Sequence, residues 1–327
     1  MRVRFQRLRL IVLAVAAIAV AMGANGQGPA YPSRASRIIV PYAPGGATDT
    51  LARILAAGLG TALKQSFSVE NRPGASGTLG LELAARAPAD GHTLVLINSS
   101  HAGWSALGGK TSVDVLRDFT PVALLGSSPV LIASSSRVGA KTLDDLVRLA
   151  RARPGTLTYA TCGVGTAGHV AGEMLKIAAG IDLLHVPYRG CAPAVQDALG
   201  GRVDLVITSA TSGLSHIGPD RLRALAVTSS RRLATAPELP TVNELGYPAV
   251  AIQVWHGLLV PANTPHEVVQ RLQDETLRAL RQDENRLRLM QVGIDASSGT
   301  GDEFATLFRS DVEKYADVVK RAKLNME

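Results

Sequence analysis

The stretch Arg37-Ile-Ile-Val-Pro-Tyr-Ala-Pro-Gly-Gly-Ala-Thr-Asp-Thr-Leu-Ala-Arg53 carries an apolar strand through a proline-glycine-glycine turn straight into an amphipathic helix. The first turn of a helix has main-chain N–H groups without intrahelical acceptors, and Gly45 and Gly46 bring no side chain to obstruct a ligand. A carboxylate can be held there by main chain alone. Leu51, Ile54, Leu55, Leu59 and Leu63 recur along one helical face. Thr48 and Asp49 occupy cap positions, where an acid facing the positive end of the helix dipole contributes ~0.3–1 kcal/mol. Capping is the preferred reading of Asp49 over direct ligand contact.

Working outward, strands and helices alternate. The pattern predicts a strand at 37–42, a helix from Thr48, a strand at 67–70, a helix over about 76–86 and an apolar strand at 93–98 behind the turn Pro88-Ala-Asp-Gly91. Residues 122–133, broken by Gly126 and Pro129, read as an extended connector. A second series follows: helix 143–153, strand 157–161, helix 169–179, strand 183–186, helix 192–199, and strands 203–208 and 222–228. A further extended segment, 250–260, precedes final helices at 265–280 and 302–322. This β/α alternation predicts a mostly parallel sheet. Two crossings between lobes are the simplest account, with residues 31–128 and 253–327 in the first lobe and 129–252 in the second.

The chain has 327 residues, of which 46% are apolar and 19% charged, enough for two packed domains. Arg2, Arg4, Arg7 and Arg9 precede an apolar run from Leu10 to Val20 and then small residues, the pattern of an export signal ending within residues 21–28. That run is short against the ~20 residues needed to span a bilayer. Removing the signal takes four arginines and no acid, so the formal charge falls from +7 to +3. This mild surplus suits a small anionic ligand. It falls short of a nucleic-acid stripe, and aromatics, at 4%, are too sparse for base stacking.

Gly163-Val-Gly-Thr-Ala-Gly168 matches GxGxxG between a strand and a helix. The acid that a dinucleotide site needs at the tip of the next strand is missing, since that strand ends in His185-Val-Pro-Tyr188. The loop reads instead as a second anion cradle. The seven histidines show no metal-ligand spacing, His266-Glu-Val-Val-Gln270 lacks the second histidine of HExxH, and no GxSxG elbow occurs. Neither metal nor cofactor is expected. Cys162 and Cys191 fall at the tips of successive predicted strands. They are either a disulfide, permitted by export and stabilising by ~3–4 kcal/mol, or two buried thiols.

Together these motifs resemble the extracytoplasmic solute receptors of tripartite tricarboxylate transporters, the Bug receptors. The likeness runs through Val40-Pro-Tyr-Ala-Pro-Gly-Gly-Ala-Thr-Asp49, Glu70-Asn-Arg-Pro-Gly-Ala-Ser-Gly77, Asp90-Gly-His-Thr-Leu94, Asp118-Phe-Thr-Pro-Val122 and residues 163–169. It continues in Val186-Pro-Tyr-Arg-Gly190, Gly201-Arg-Val-Asp204, Leu225-Ala-Val-Thr228 and Pro240-Thr-Val-Asn-Glu-Leu-Gly246. The resemblance implies a type II periplasmic-binding-protein fold, two α/β lobes joined by two crossover strands around a ligand cleft.

The same resemblance places ligand contacts on Ala43, Gly45, Gly46, Ala47, Thr48 and Asp49, and on Ser99 and His101, in the first lobe. In the second lobe it places them on Gly163, Val164, Gly165, Thr166, His169, Tyr188 and Thr208. It further implies a monomeric periplasmic protein that hands a small carboxylate to membrane permease subunits or presents it to a sensor histidine kinase. A secreted hydrolase working around Thr166, His169 and Tyr188 is the enzymatic alternative. The family often has asparagine where this chain has Val164 and an acid-amide pair where it has Thr208-Ser209. Loss of that acid removes a partner for an ammonium group, so a non-amino di- or tricarboxylate or an aromatic acid is expected.

Overall fold

A computed structural model describes residues 31–108 and 112–324. The expected export signal lies outside the described residues. Ten strands form one continuous, bent sheet in the order β2-β1-β3-β9-β4-β7-β5-β6, with β8 and β10 also on β4. The first half contains β1 (Ser36–Val40), β2 (Phe67–Asn71), β3 (Thr93–Asn98), β9 (Gln253–Pro261) and β10 (Asp295–Thr300). The second contains β5 (Thr158–Thr161), β6 (Leu184–Pro187), β7 (Leu205–Ser209) and β8 (Leu222–Val227). β4 (Phe119–Ser135) belongs to both.

The connector expected over 122–133 is thus a 17-residue strand. Its first part, to Pro129, pairs with β9, and from Val130 onward it pairs with β7 and β8. Pro129 has no N–H to give a ladder, so the changeover is a position where proline costs little. The chain crosses a second time before β9, and Thr228 fastens the two crossings together. Its hydroxyl accepts from Val130 N–H at 2.9 Å and donates to the Ile252 carbonyl at 2.5 Å.

The expectation of a mostly parallel sheet is corrected. β1 pairs in parallel with β2 and β3, and β5 with β6 and β7, as βα units require. Every pairing made by β4 or β9 is antiparallel. Chain that returns from the other lobe enters the sheet running against the βα strands.

Helices α1 (Ala47–Leu63), α2 (Thr78–Ala85), α3 (Ser100–Ala106), α4 (Leu143–Ala152), α5 (Ala167–Ala179) and α6 (Cys191–Leu199) follow strands in turn. Near the end come α7 (His266–Arg281), α8 (Asp283–Gln291) and α9 (Gly301–Ala322). Thr142 with Asp145 and Thr300 with Glu303 form capping boxes that start α4 and α9. The apolar face of α1 closes one core of the first lobe through Leu51, Leu55 and Leu59, each fully buried. Phe304 and Tyr315 of α9 join Trp255, Val95 and Tyr159 in a larger core spanning both sheet halves. Phe304 fits because β9 carries Gly257 beneath it, where a Cβ would lie 2.1 Å from the ring.

Candidate functional site

Both glycine turns leave the C-terminal end of a parallel strand, the edge at which open α/β sheets bind ligands. In the first, Gly45 has φ +86° and donates its N–H to Asp49 Oδ2 at 3.0 Å. Asp49 also accepts from Asn71 Nδ2 at 3.0 Å and from Arg53 Nε at 3.0 Å and Nη2 at 3.1 Å. Burial pushes this carboxyl up, but Arg53, the Gly45 N–H and Asn71 outweigh it and hold it below its ordinary value. The carboxylate is spent on the turn itself. Gly46 stands at the N-cap of α1, and no side chain caps that helix. Ala43, Gly45 and Gly46 are exposed, Ala47 is half-buried and Thr48 is buried.

A second layer braces this turn. The Tyr42 hydroxyl lies 2.8 Å from both Asn98 Oδ1 and His101 Nδ1, and it accepts the Asn98 N–H at 3.1 Å. Asn98 Nδ2 reaches Thr48 Oγ1 at 3.3 Å. Ser99 donates its N–H to the Trp255 carbonyl, while its buried Oγ and the buried Nε2 of His101 meet no partner. Burial pulls His101 down to about 4 against the Asn98 main chain, so the ring is neutral near pH 7.

In the second turn, Gly163 and Gly165 have φ +140° and +76°, which favours glycine. The Thr166 hydroxyl donates to the Gly163 carbonyl at 2.8 Å and caps α5 by accepting the His169 N–H at 3.4 Å. His169 Nδ1 accepts the Gly165 N–H at 3.2 Å, so the hydrogen of its neutral ring sits on Nε2. Val164 is half-buried. The His169 ring stacks on His185 at 4.1 Å, and His185 stacks on Tyr159 at 4.8 Å and meets Thr161 Oγ1 at 2.8 Å. Thr161 Oγ1 in turn accepts the Gly163 N–H at 3.3 Å. Burial, with Lys176 adding to it, lowers His169 to about 4.

Cys162 and Cys191 are joined as a disulfide across a sequence separation of 29, tying this turn to the start of α6. Thr208 Oγ1 lies 3.2 Å from Cys162 Sγ. Tyr188 donates its hydroxyl to Asp197 Oδ2 at 2.7 Å and its N–H to the Thr161 carbonyl. The phenol is raised to about 12 by burial and then by Asp197. Its hydroxyl is engaged with α6.

The two lobes meet at this second turn. A Cβ on Gly165 would lie 3.5 Å from Gly103 C and 3.1 Å from Leu107 Cδ1, both in or just beyond α3, which starts beside Ser99. Tyr42, Asn71, Asn98, Gly103 and His185 were not among the residues expected from sequence. Tyr42 and Asn98 directly flank expected residues, whereas His185 reaches the loop only through strand pairing opposite Tyr159. Among the described residues no three His, Cys, Asp or Glu side chains group as a metal site.

A family model described as "Tripartite tricarboxylate transporter family receptor" matches residues 51–324. The chain belongs to this family. Its members are periplasmic solute-binding receptors and not enzymes. Protein BugT of Bordetella pertussis is 33% identical over 95% of this chain and 94% of its own length. The solved structure of Rhodopseudomonas palustris Rpa4515 with adipate superposes with a TM-score of 0.83 at 31% identity, covering 90% of this chain and 99% of that one. MatC of the same organism, with bound malate, gives a TM-score of 0.79 at 31% identity, covering 88% and 100%. Like these receptors, the chain has the two-lobe α/β architecture. Among the described residues no helix is long and apolar enough to cross a membrane.

Proposed function

We propose that this receptor captures a small non-amino carboxylate, a di- or tricarboxylate or an aromatic acid, in the periplasm and delivers it to the permease subunits of a tripartite transporter. The observation that carries this reading is the uncapped start of α1 behind Gly45-Gly46 in one lobe, together with the His169-braced glycine loop of the other, which meets that lobe at Gly165. Free main-chain donors at a helix start favour an anion without any side-chain cation. Residues 31–128 with 253–327 and residues 129–252 act as the two closing bodies, and ligand contacts made only on closure shift the population toward the closed form. Adipate and malate in the two similar receptors support a carboxylate. Thr208-Ser209 offers no carboxylate to an ammonium group, which disfavours an amino acid.

Mass spectrometry of gently purified protein identifies a co-purifying acid, and thermal melting with candidate acids then ranks them. Saturation at ~100-fold above Kd stabilises by ~2.7 kcal/mol, a readily measured rise in Tm. Indifference to every organic acid, or tighter binding of aspartate or glutamate than of plain acids, would overturn the reading.

A further inference from the structure

The crossing strands carry hydrogen-bonding groups that nothing in the protein uses. Ser128 Oγ on β4 and His256 Nδ1 on β9 are buried without partners, in residues only 2% and 1% exposed. Buried polar groups are ordinarily satisfied, so two on adjacent strands call for an explanation. Strand register places them together. His256 pairs with Asn98 on one side and Gly126 on the other, and Ser128 pairs with Val254, two residues from His256. The period of two therefore puts Ser128, His256 and Asn98 on one face of the sheet.

That face leads to the anion turn, because Asn98 bonds Thr48 Oγ1 and the Tyr42 hydroxyl. It also ends at the crossing, because two residues beyond Ser128 the strand partner becomes Ser209 of the other lobe. Burial pulls the His256 imidazole down to about 4, opposed by the Gly126 carbonyl, so the ring is uncharged near neutral pH. A neutral imidazole and a hydroxyl each donate or accept and bring no charge to this face. Their complement is an uncharged hydroxyl or carbonyl.

We infer that His256 and Ser128 form the specificity floor of the cleft and read a hydroxyl or carbonyl substituent on the carboxylate that the glycine turns hold. This rests on the carboxylate reading above and narrows it to hydroxy- or oxo-acids.

Calorimetric titration with acids differing by one hydroxyl tests it: malate against succinate, and 4-hydroxybenzoate against benzoate. The hydroxy member of at least one pair is expected to bind about tenfold tighter or more, since a site built around a hydroxyl rejects the analogue lacking it. His256→Phe and Ser128→Ala should bring that ratio close to one by weakening the hydroxy acid more than the plain acid, and the thermal melt of each ligand-free variant shows that it is folded. A ratio that survives both substitutions, or equal binding of both members by the wild type, overturns the floor and leaves the carboxylate reading intact. Failure of every acid, plain or hydroxylated, overturns both.

Discussion

Gly103 of α3 rests directly on the main chain of Gly165, so that a Cβ on Gly103 would stand 1.9 Å from the Gly165 carbonyl oxygen. One residue belongs to the first lobe and the other to the glycine loop of the second. Bare backbone on both sides lets the lobes approach this closely.

Gly103→Ala therefore separates closure from folding. Alanine is the better helix former by ~1 kcal/mol, and Gly103 is not among the residues with positive φ, so the lobe itself tolerates the change. The closure proposed above does not, because the added methyl meets the Gly165 backbone. Affinity for the wild-type ligand is expected to fall about tenfold or more, ~1.4 kcal/mol per factor of ten, with Tm of the free protein unchanged or raised. Calorimetry and small-angle scattering check this, and wild-type affinity with ligand-induced compaction intact would refute it.

Asp49 supports the first turn from within. Asp49→Ala removes the acceptor of the Gly45 N–H, of Asn71 Nδ2 and of Arg53 together. A loss of ~1–3 kcal/mol is expected, with ~2–4 °C of Tm per kcal/mol for chains of 150–250 residues setting the upper limit for this longer one. Denaturant melts report it. Asp49→Asn should recover part of the loss, since one amide oxygen still accepts the Gly45 N–H.

The Cys162–Cys191 bridge joins cysteines separated by 29 positions in the sequence. Loop entropy assigns such a closure ~3–4 kcal/mol. Melting with and without reductant, and of the Cys162→Ser, Cys191→Ser double variant, should show equal drops. A bridge without effect on Tm would mean that the packing around Thr208 alone holds these loops.

Stability should fall on mild acidification. His101, His169 and His256 are lowered to about 4 and His185 to about 3, chiefly by burial, from an ordinary 6.5. Between those values the unfolded chain binds more protons than the folded one. The stabilisation is therefore complete above about pH 6.5 and is lost as pH falls toward the folded values. Tm measured from pH 7 to pH 5 should drop by several degrees, and His169→Gln should flatten the slope. A flat Tm across this window would contradict neutral, buried rings.

Much of the fold was legible because its causes are local. β3 was expected at its observed bounds, and α1 within one residue of its start, because apolar periodicity and turn chemistry act over a few positions. Gly126 and Pro129 interrupt the apolar pattern of residues 122–133, yet β4 runs through both. Gly126 makes room for the Asp295 carbonyl, which would lie 2.7 Å from a Cβ there. β10 was missed because Asp295-Ala-Ser-Ser-Gly-Thr300 has no apolar alternation, and pairing with β4 alone makes it a strand. The brief helix α8 was missed too, because Leu289 is its only buried apolar residue, Leu287 and Met290 being exposed.

What the amino-acid order determined by itself is a set of self-contained units: two glycine turns each feeding a helix, cysteines at strand tips and capping boxes at helix starts. Each depends on residues within a few positions of one another. The tertiary structure alone decided that Gly165 meets Gly103, that His185 braces the loop holding Gly163, and that Ser128 and His256 share a face with Asn98. Those neighbours are separated in the chain, and only β5–β6 pairing, the contact between α3 and the glycine loop, and the register of the crossing strands bring them together.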